Sequence, residues 1–89
     1  MISELDKATI IRLARKYDVS CVILFGSSLA DEREANDIDL GVKGVKPGLF
    51  FRFYGELFKD LSKPVDLVNL SLKSSSNDLV EEGGVKIYG

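Results

Sequence analysis

Two stretches decide the fold: Cys21-Val22-Ile23-Leu24-Phe25-Gly26-Ser27-Ser28 and, a few residues on, Asn36-Asp37-Ile38-Asp39-Leu40-Gly41-Val42. The first belongs to an apolar run that starts at Val19 and stops at Gly26. Its length and β-branched content predict a strand over Val19–Phe25, buried on both faces. Cys21 is then expected to pack in the interior. Ser27-Ser28 offers the cap of a short helix through about Glu34, and Ala35-Asn36 reads as a loop. The second stretch alternates acid and apolar residues, which predicts a strand over Asp37–Val42. Successive strand side chains point to opposite faces, so Asp37 and Asp39 share one face while Ile38 and Leu40 turn to the core.

Working outward, Ser3-Glu4-Leu5-Asp6 reads as a capped helix start with acids in the first turn. Leu5, Ile10, Leu13 and Ala14 recur at helical spacing, and Arg12, Arg15 and Lys16 gather at the far end, where they suit the helix dipole. A helix over Ser3–Tyr17 follows. Gly44 and Pro47-Gly48 break the second strand. Leu49, Phe50, Phe53, Leu57, Phe58 and Leu61 fit one face of a helix over Leu49–Leu61. Phe51 and Tyr54 fall off that face, as interface residues or as a wrapped edge of the core. Pro64 ends the helix, and Val65–Leu70 reads as a strand. Ser71–Asp78 reads as a polar loop, Asp78–Glu82 as a short helix stopped by Gly83-Gly84, and Val85–Tyr88 as a terminal strand or tail. The order predicts a single α/β (α+β) domain over residues 1–89, a small mixed sheet flanked by helices.

Composition removes whole classes of chemistry. The chain has 89 residues, a net charge of −2 and no long basic run, so tight binding to a nucleic-acid backbone is not expected. One cysteine excludes an internal disulfide and fits a reducing, cytoplasmic setting. No histidine is present, which removes histidine-based zinc sites and Ser-His-Asp triads. Any metal must be held by carboxylates, which favours Mg²⁺ or Mn²⁺. No apolar run reaches the length of a membrane helix, and the acidic start is unlike a signal peptide.

Carboxylates on one face of a strand repel each other, so the pair needs either a cation beside it or a well-solvated strand end. Gly26 lets the backbone approach a ligand closely, the amides opening the next helix favour an anion, and the Ser27 hydroxyl can add a bond to phosphate. Asp66, at the start of the Val65–Leu70 strand, joins the pair if that strand lies beside Asp37–Val42. Three carboxylates can hold two metal ions, one gripping a triphosphate and one activating an attacking hydroxyl. Each feature alone is weak. A Gly-Ser turn is commonly only a turn, and Asp-x-Asp is commonly a solvated strand end.

The joint pattern, Ile23-Leu24-Phe25-Gly26-Ser27 followed by Asn36-Asp37-Ile38-Asp39-Leu40, resembles the DNA polymerase β-type nucleotidyltransferase superfamily. The short length, and the ending Glu81-Glu82-Gly83-Gly84-Val85-Lys86-Ile87-Tyr88, resemble its minimal branch, the MNT proteins. The resemblance implies that Gly26 and Ser27 bind nucleotide phosphates, and that Asp37, Asp39 and Asp66 are the catalytic, metal-binding acids. It implies two Mg²⁺ ions and an NTP, with ATP expected. It also implies a HEPN-type helical toxin as partner, neutralised by transfer of AMP to a hydroxyl. The stretch Ser28-Leu29-Ala30-Asp31-Glu32-Arg33 departs from the family, many members of which carry Ala-Arg-Gly soon after the Gly-Ser pair. Two alternatives follow: a non-catalytic subunit that blocks its partner sterically, and a small-molecule nucleotidyltransferase subunit, which would form its acceptor pocket with a second domain or as a homo-oligomer.

Overall fold

The computed structural model describes residues 2–26, 37–71 and 83–89. The expected short helices after Ser27 and around Asp78–Glu82 lie outside these residues, apart from Gly83 and Gly84. Helix α1 (Glu4–Lys16) precedes strands β1 (Cys21–Phe25) and β2 (Ile38–Lys43). A single 3-10 turn, Pro47–Leu49, leads into helix α2 (Phe50–Asp60), followed by β3 (Val65–Asn69) and β4 (Val85–Tyr88).

Helix α1 starts where the sequence says it should. The Ser3 hydroxyl accepts from the Asp6 backbone N–H at 3.1 Å, satisfying one of the free amides of the first turn. Its end is a glycine-type cap made without glycine. Asp18 adopts φ +53°, the Val19 N–H donates to the Ala14 carbonyl and the Asp18 N–H to that of Arg15. That turn occupies Asp18 and Val19, so β1 begins at Cys21 rather than at Val19.

The strands lie in the order β3-β2-β1-β4. β1 is antiparallel to both β2 and β4, and β2 is parallel to β3. Pairing and alternation give the sheet two unlike faces. Val22, Leu24, Ile38, Leu40, Val42, Val65 and Leu67 face the helices and pack with Ile10, Leu13, Ala14, Phe53 and Leu57 in one core. Phe53 is wholly buried, and truncating it to alanine is expected to cost about 3–5 kcal/mol. The opposite face carries Cys21, Ile23, Phe25, Asp39, Gly41, Asp66 and Val68. Cys21 is half-buried rather than interior. Gly41 is bare for a reason: a Cβ there would stand 2.6 Å from Leu70 Cδ1, so Leu70 folds over this position and is buried.

Helix α2 packs through a narrower seam than its apolar content suggested. Phe53, Leu57 and Leu61 are buried, whereas Phe58 stays 60% exposed. Phe51 is 82% exposed, while Tyr54 is half-buried against the core. The two helices are tied by Lys16 Nζ to Glu56 Oε1 at 2.7 Å and Arg12 Nη2 to Asp60 Oδ2 at 3.2 Å. A less visible tie is Asp6. Its side chain is buried and accepts from the Ser62 backbone N–H at 3.1 Å and from the Ser62 hydroxyl, fastening the end of α2 to the start of α1.

Candidate active site

The acids meet at one end of the sheet because two strands start level. The Ile38 N–H donates to the Pro64 carbonyl at 2.8 Å, setting Ile38 beside Val65 and therefore Asp39 beside Asp66. In-register residues of parallel strands project from the same face, so both carboxylates leave the sheet on the side away from the helices. The strands run about 4.8 Å apart, which keeps the two negative charges close enough to oppose each other. Asp39 is half-buried and Asp66 exposed.

Gly26 completes the corner from β1. Phe25 pairs with Asp39, so Gly26 lies just past the carboxyl end of β1 and beside the acidic start of β2, with β3 one strand further on. Its φ is +61°, a region that L side chains rarely adopt. A Cβ at this position would come within 2.7 Å of Asp39 Oδ2, so the bare backbone is what lets the carboxylate sit there. The position of Asp66 is held from below. The Tyr54 hydroxyl donates to the Val65 carbonyl at 3.1 Å, and the Asp6–Ser62 contact anchors the turn that leads into β3.

Asp37 stands differently. It lies in the bend before β2 and is exposed. Among the described residues no three acids or thiols are grouped closely enough to hold one ion together. Ser27 lies outside the described residues. The donor chemistry nevertheless fits a hard divalent ion. The converging groups are carboxylates, and Cys21 lies at the other end of β1, opposite Lys43 in the strand register. Sequence reasoning missed Asp6, Ser62 and Tyr54 as supports of this corner. Their contacts span 56 and 11 positions, and no local pattern signals them.

The fold that carries this corner is that of a nucleotidyltransferase. The sequence matches the family described as "Polymerase beta, Nucleotidyltransferase" over residues 8–88, and the chain belongs to that family. Within it, the likeness is to the minimal type found in toxin–antitoxin pairs. The fold matches a crystal structure of the toxin–antitoxin MntA–HepT, with TM-score 0.73 and 24% identity over 98% of this chain and 73% of that one. It also matches a toxin–antitoxin crystal structure with AMP-PNP, with TM-score 0.77 and 26% identity over 96% and 74%. A third match is to a complex of a tri-AMPylated Shewanella oneidensis HEPN toxin with an MNT antitoxin, with TM-score 0.73 and 24% identity over 97% and 71%. No curated protein sequence matches the chain significantly. No helix among the described residues is long and apolar enough to cross a membrane.

Proposed function

We propose that this chain transfers AMP from ATP to a hydroxyl of a HEPN-type helical partner. The observation that carries the reading is the in-register pairing of Asp39 with Asp66, with Gly26 pressed against the Asp39 carboxylate. Family membership supports nucleotidyl transfer as the reaction class. Likeness to a toxin–antitoxin structure with AMP-PNP supports an adenosine nucleotide. Likeness to a chain in the complex of an MNT antitoxin with a tri-AMPylated HEPN toxin supports the acceptor.

Asp39 and Asp66, joined by Asp37 from its exposed bend, would hold two Mg²⁺ ions, with Mn²⁺ able to substitute. Such ions supply charge neutralisation on the phosphates and activation of the acceptor hydroxyl. Gly26 and Ser27 would receive the phosphates at the end of β1, where bare backbone permits close approach. The acceptor oxygen attacks the α-phosphorus, the bond to the bridging oxygen breaks, and pyrophosphate leaves. Asp66, exposed at the mouth, is suited to take the proton from the acceptor.

The test is mass spectrometry of the HEPN-type partner after incubation with the chain, ATP and Mg²⁺. The expected outcome is a mass increase of one or more AMP groups. An unmodified partner, still bound to the chain, would favour a second reading in which the chain neutralises its partner sterically. One observation favours that reading: Asp37 does not close with Asp39 and Asp66 into a three-acid group among the described residues.

A further inference from the structure

Helix α2 turns a second, unlike surface outward, on the side of the molecule away from the acids. At about 100° per residue, Phe51, Gly55 and Phe58 fall within roughly 60° of one another, and Arg52 and Lys59 border them along one flank. Phe51 and Phe58 are 82% and 60% exposed. Phe51 is steadied by Phe50, whose ring meets it edge-on at 5.4 Å. Between the two aromatics, a Cβ added at Gly55 would meet nothing within 4 Å, leaving an open notch.

The charge on this surface is one-signed. The two acids of α2, Glu56 and Asp60, are both taken up by α1, through Lys16 and Arg12. Arg52 and Lys59 are exposed and form no ion pair with an acid among the described residues. A chain of net charge −2 therefore shows here two large apolar side chains beside two cations that no described acid pairs.

We propose that the outward face of α2 is a docking surface for an amphipathic helix of a partner protein, with apolar side chains at heptad spacing and acids along one flank. The seven-residue step from Phe51 to Phe58 is that of a helix–helix seam, and the notch at Gly55 receives a knob from the partner. Acids on the partner answer Arg52 and Lys59. A second copy of this chain fits poorly, because an antiparallel two-fold pairing lays Arg52 of one copy alongside Lys59 of the other. A nucleic-acid strand fits poorly too, since two cations on a convex helix offer little to a phosphate backbone.

The probe is a synthetic helix of about three heptads with leucine at the seam and glutamate on the flanks, titrated into the intact chain by calorimetry. The acidic peptide should bind, and Phe51→Ser with Phe58→Ser should weaken it by at least about tenfold. A peptide with lysine in place of glutamate should not bind, and Arg52→Glu with Lys59→Glu should reverse that preference. These positions are exposed, so unchanged melting curves verify the fold of each variant. Failure of the acidic peptide to bind overturns the proposal, as does equal binding by the double-phenylalanine variant. So does oligothymidine binding lost with the same residues, or a self-association in sedimentation that Phe51→Ser abolishes. Nucleotide binding by the Phe51→Ser variant should remain at the wild-type level, which separates this surface from the transfer reaction.

Discussion

Replacing Gly26 by alanine probes the corner on which the reaction is proposed to depend. Two costs add. The backbone at φ +61° is left-handed, and holding a side chain there costs about 1–2 kcal/mol. The new Cβ would also stand 2.7 Å from Asp39 Oδ2, whereas ordinary contact begins near 3.4 Å. The carboxylate must therefore retreat by about 0.7 Å, the difference between those distances. For a domain of this size the backbone term lowers the melting temperature by about 4–8 °C per kcal/mol. A displacement approaching 1 Å in a reacting group costs up to about a hundredfold in rate. Gly26→Ala should thus melt measurably lower by circular dichroism and transfer nucleotide about ten to a hundred times more slowly. Gly55→Ala is the matched control. It adds its methyl to open space in a helix interior and should raise stability by about 0.5–1 kcal/mol. If Gly26→Ala melts and reacts like the wild type, the argument that bare backbone makes room for Asp39 is wrong.

Other positions make separate tests. Asp6→Ala strips the buried acceptor from the Ser62 N–H and hydroxyl and should cost about 1–3 kcal/mol in urea denaturation. A loss below a few tenths would mean that the contact is not made in solution. Gly41→Ala pushes a methyl into Leu70 and should destabilise by about 1–3 kcal/mol, a loss that Leu70→Ala in the same chain should partly relieve. Lys16 donates to Glu56 and holds its carboxyl below the ordinary 4.5, while the Lys16 ammonium is held above 10.5 by the same bond. The stability contributed by a depressed carboxyl is present above its unfolded pKa and lost as pH falls through the folded one. The small stability gap between wild type and Glu56→Gln should accordingly persist at neutral pH and close below pH 4.5. A gap that is unchanged in strong acid would contradict the pairing.

The frame of the molecule was legible because its signals are local. Ser3 capping α1, the run ending at Phe25, the alternation from Asp37 to Leu40 and the break at Pro64 each act over a few residues. The sidedness of Asp39 was legible for the same reason, since Ile38 and Leu40 are both buried beneath it. Phe58 was misjudged because two rigid helices meet along a narrow seam, and a side chain one step beyond Leu57 leaves it. Asp6 was read as a first-turn acid, yet its carboxylate is spent on Ser62, a contact that only the packing of α1 against the end of α2 creates. Asp37 was expected to share the face of Asp39 within β2. The strand begins one residue later, at Ile38, leaving Asp37 in the preceding bend. The pairing of Asp39 with Asp66 depended on which strands adjoin, which the hydrogen bond from Ile38 to Pro64 fixes and which no short stretch encodes.

The central claim is that Asp39 and Asp66 together run nucleotidyl transfer on this fold. The most direct measurement is the single-turnover rate of label transfer from α-labelled ATP to the HEPN-type partner, with Mg²⁺, for wild type, Asp39→Asn and Asp66→Asn. Asp39 is half-buried and Asp66 exposed, and melting curves verify that all three proteins are folded. The wild type should label its partner, and each variant should lose at least about a hundredfold in rate. Equal rates in all three, or a wild type that never labels its partner, would contradict the claim.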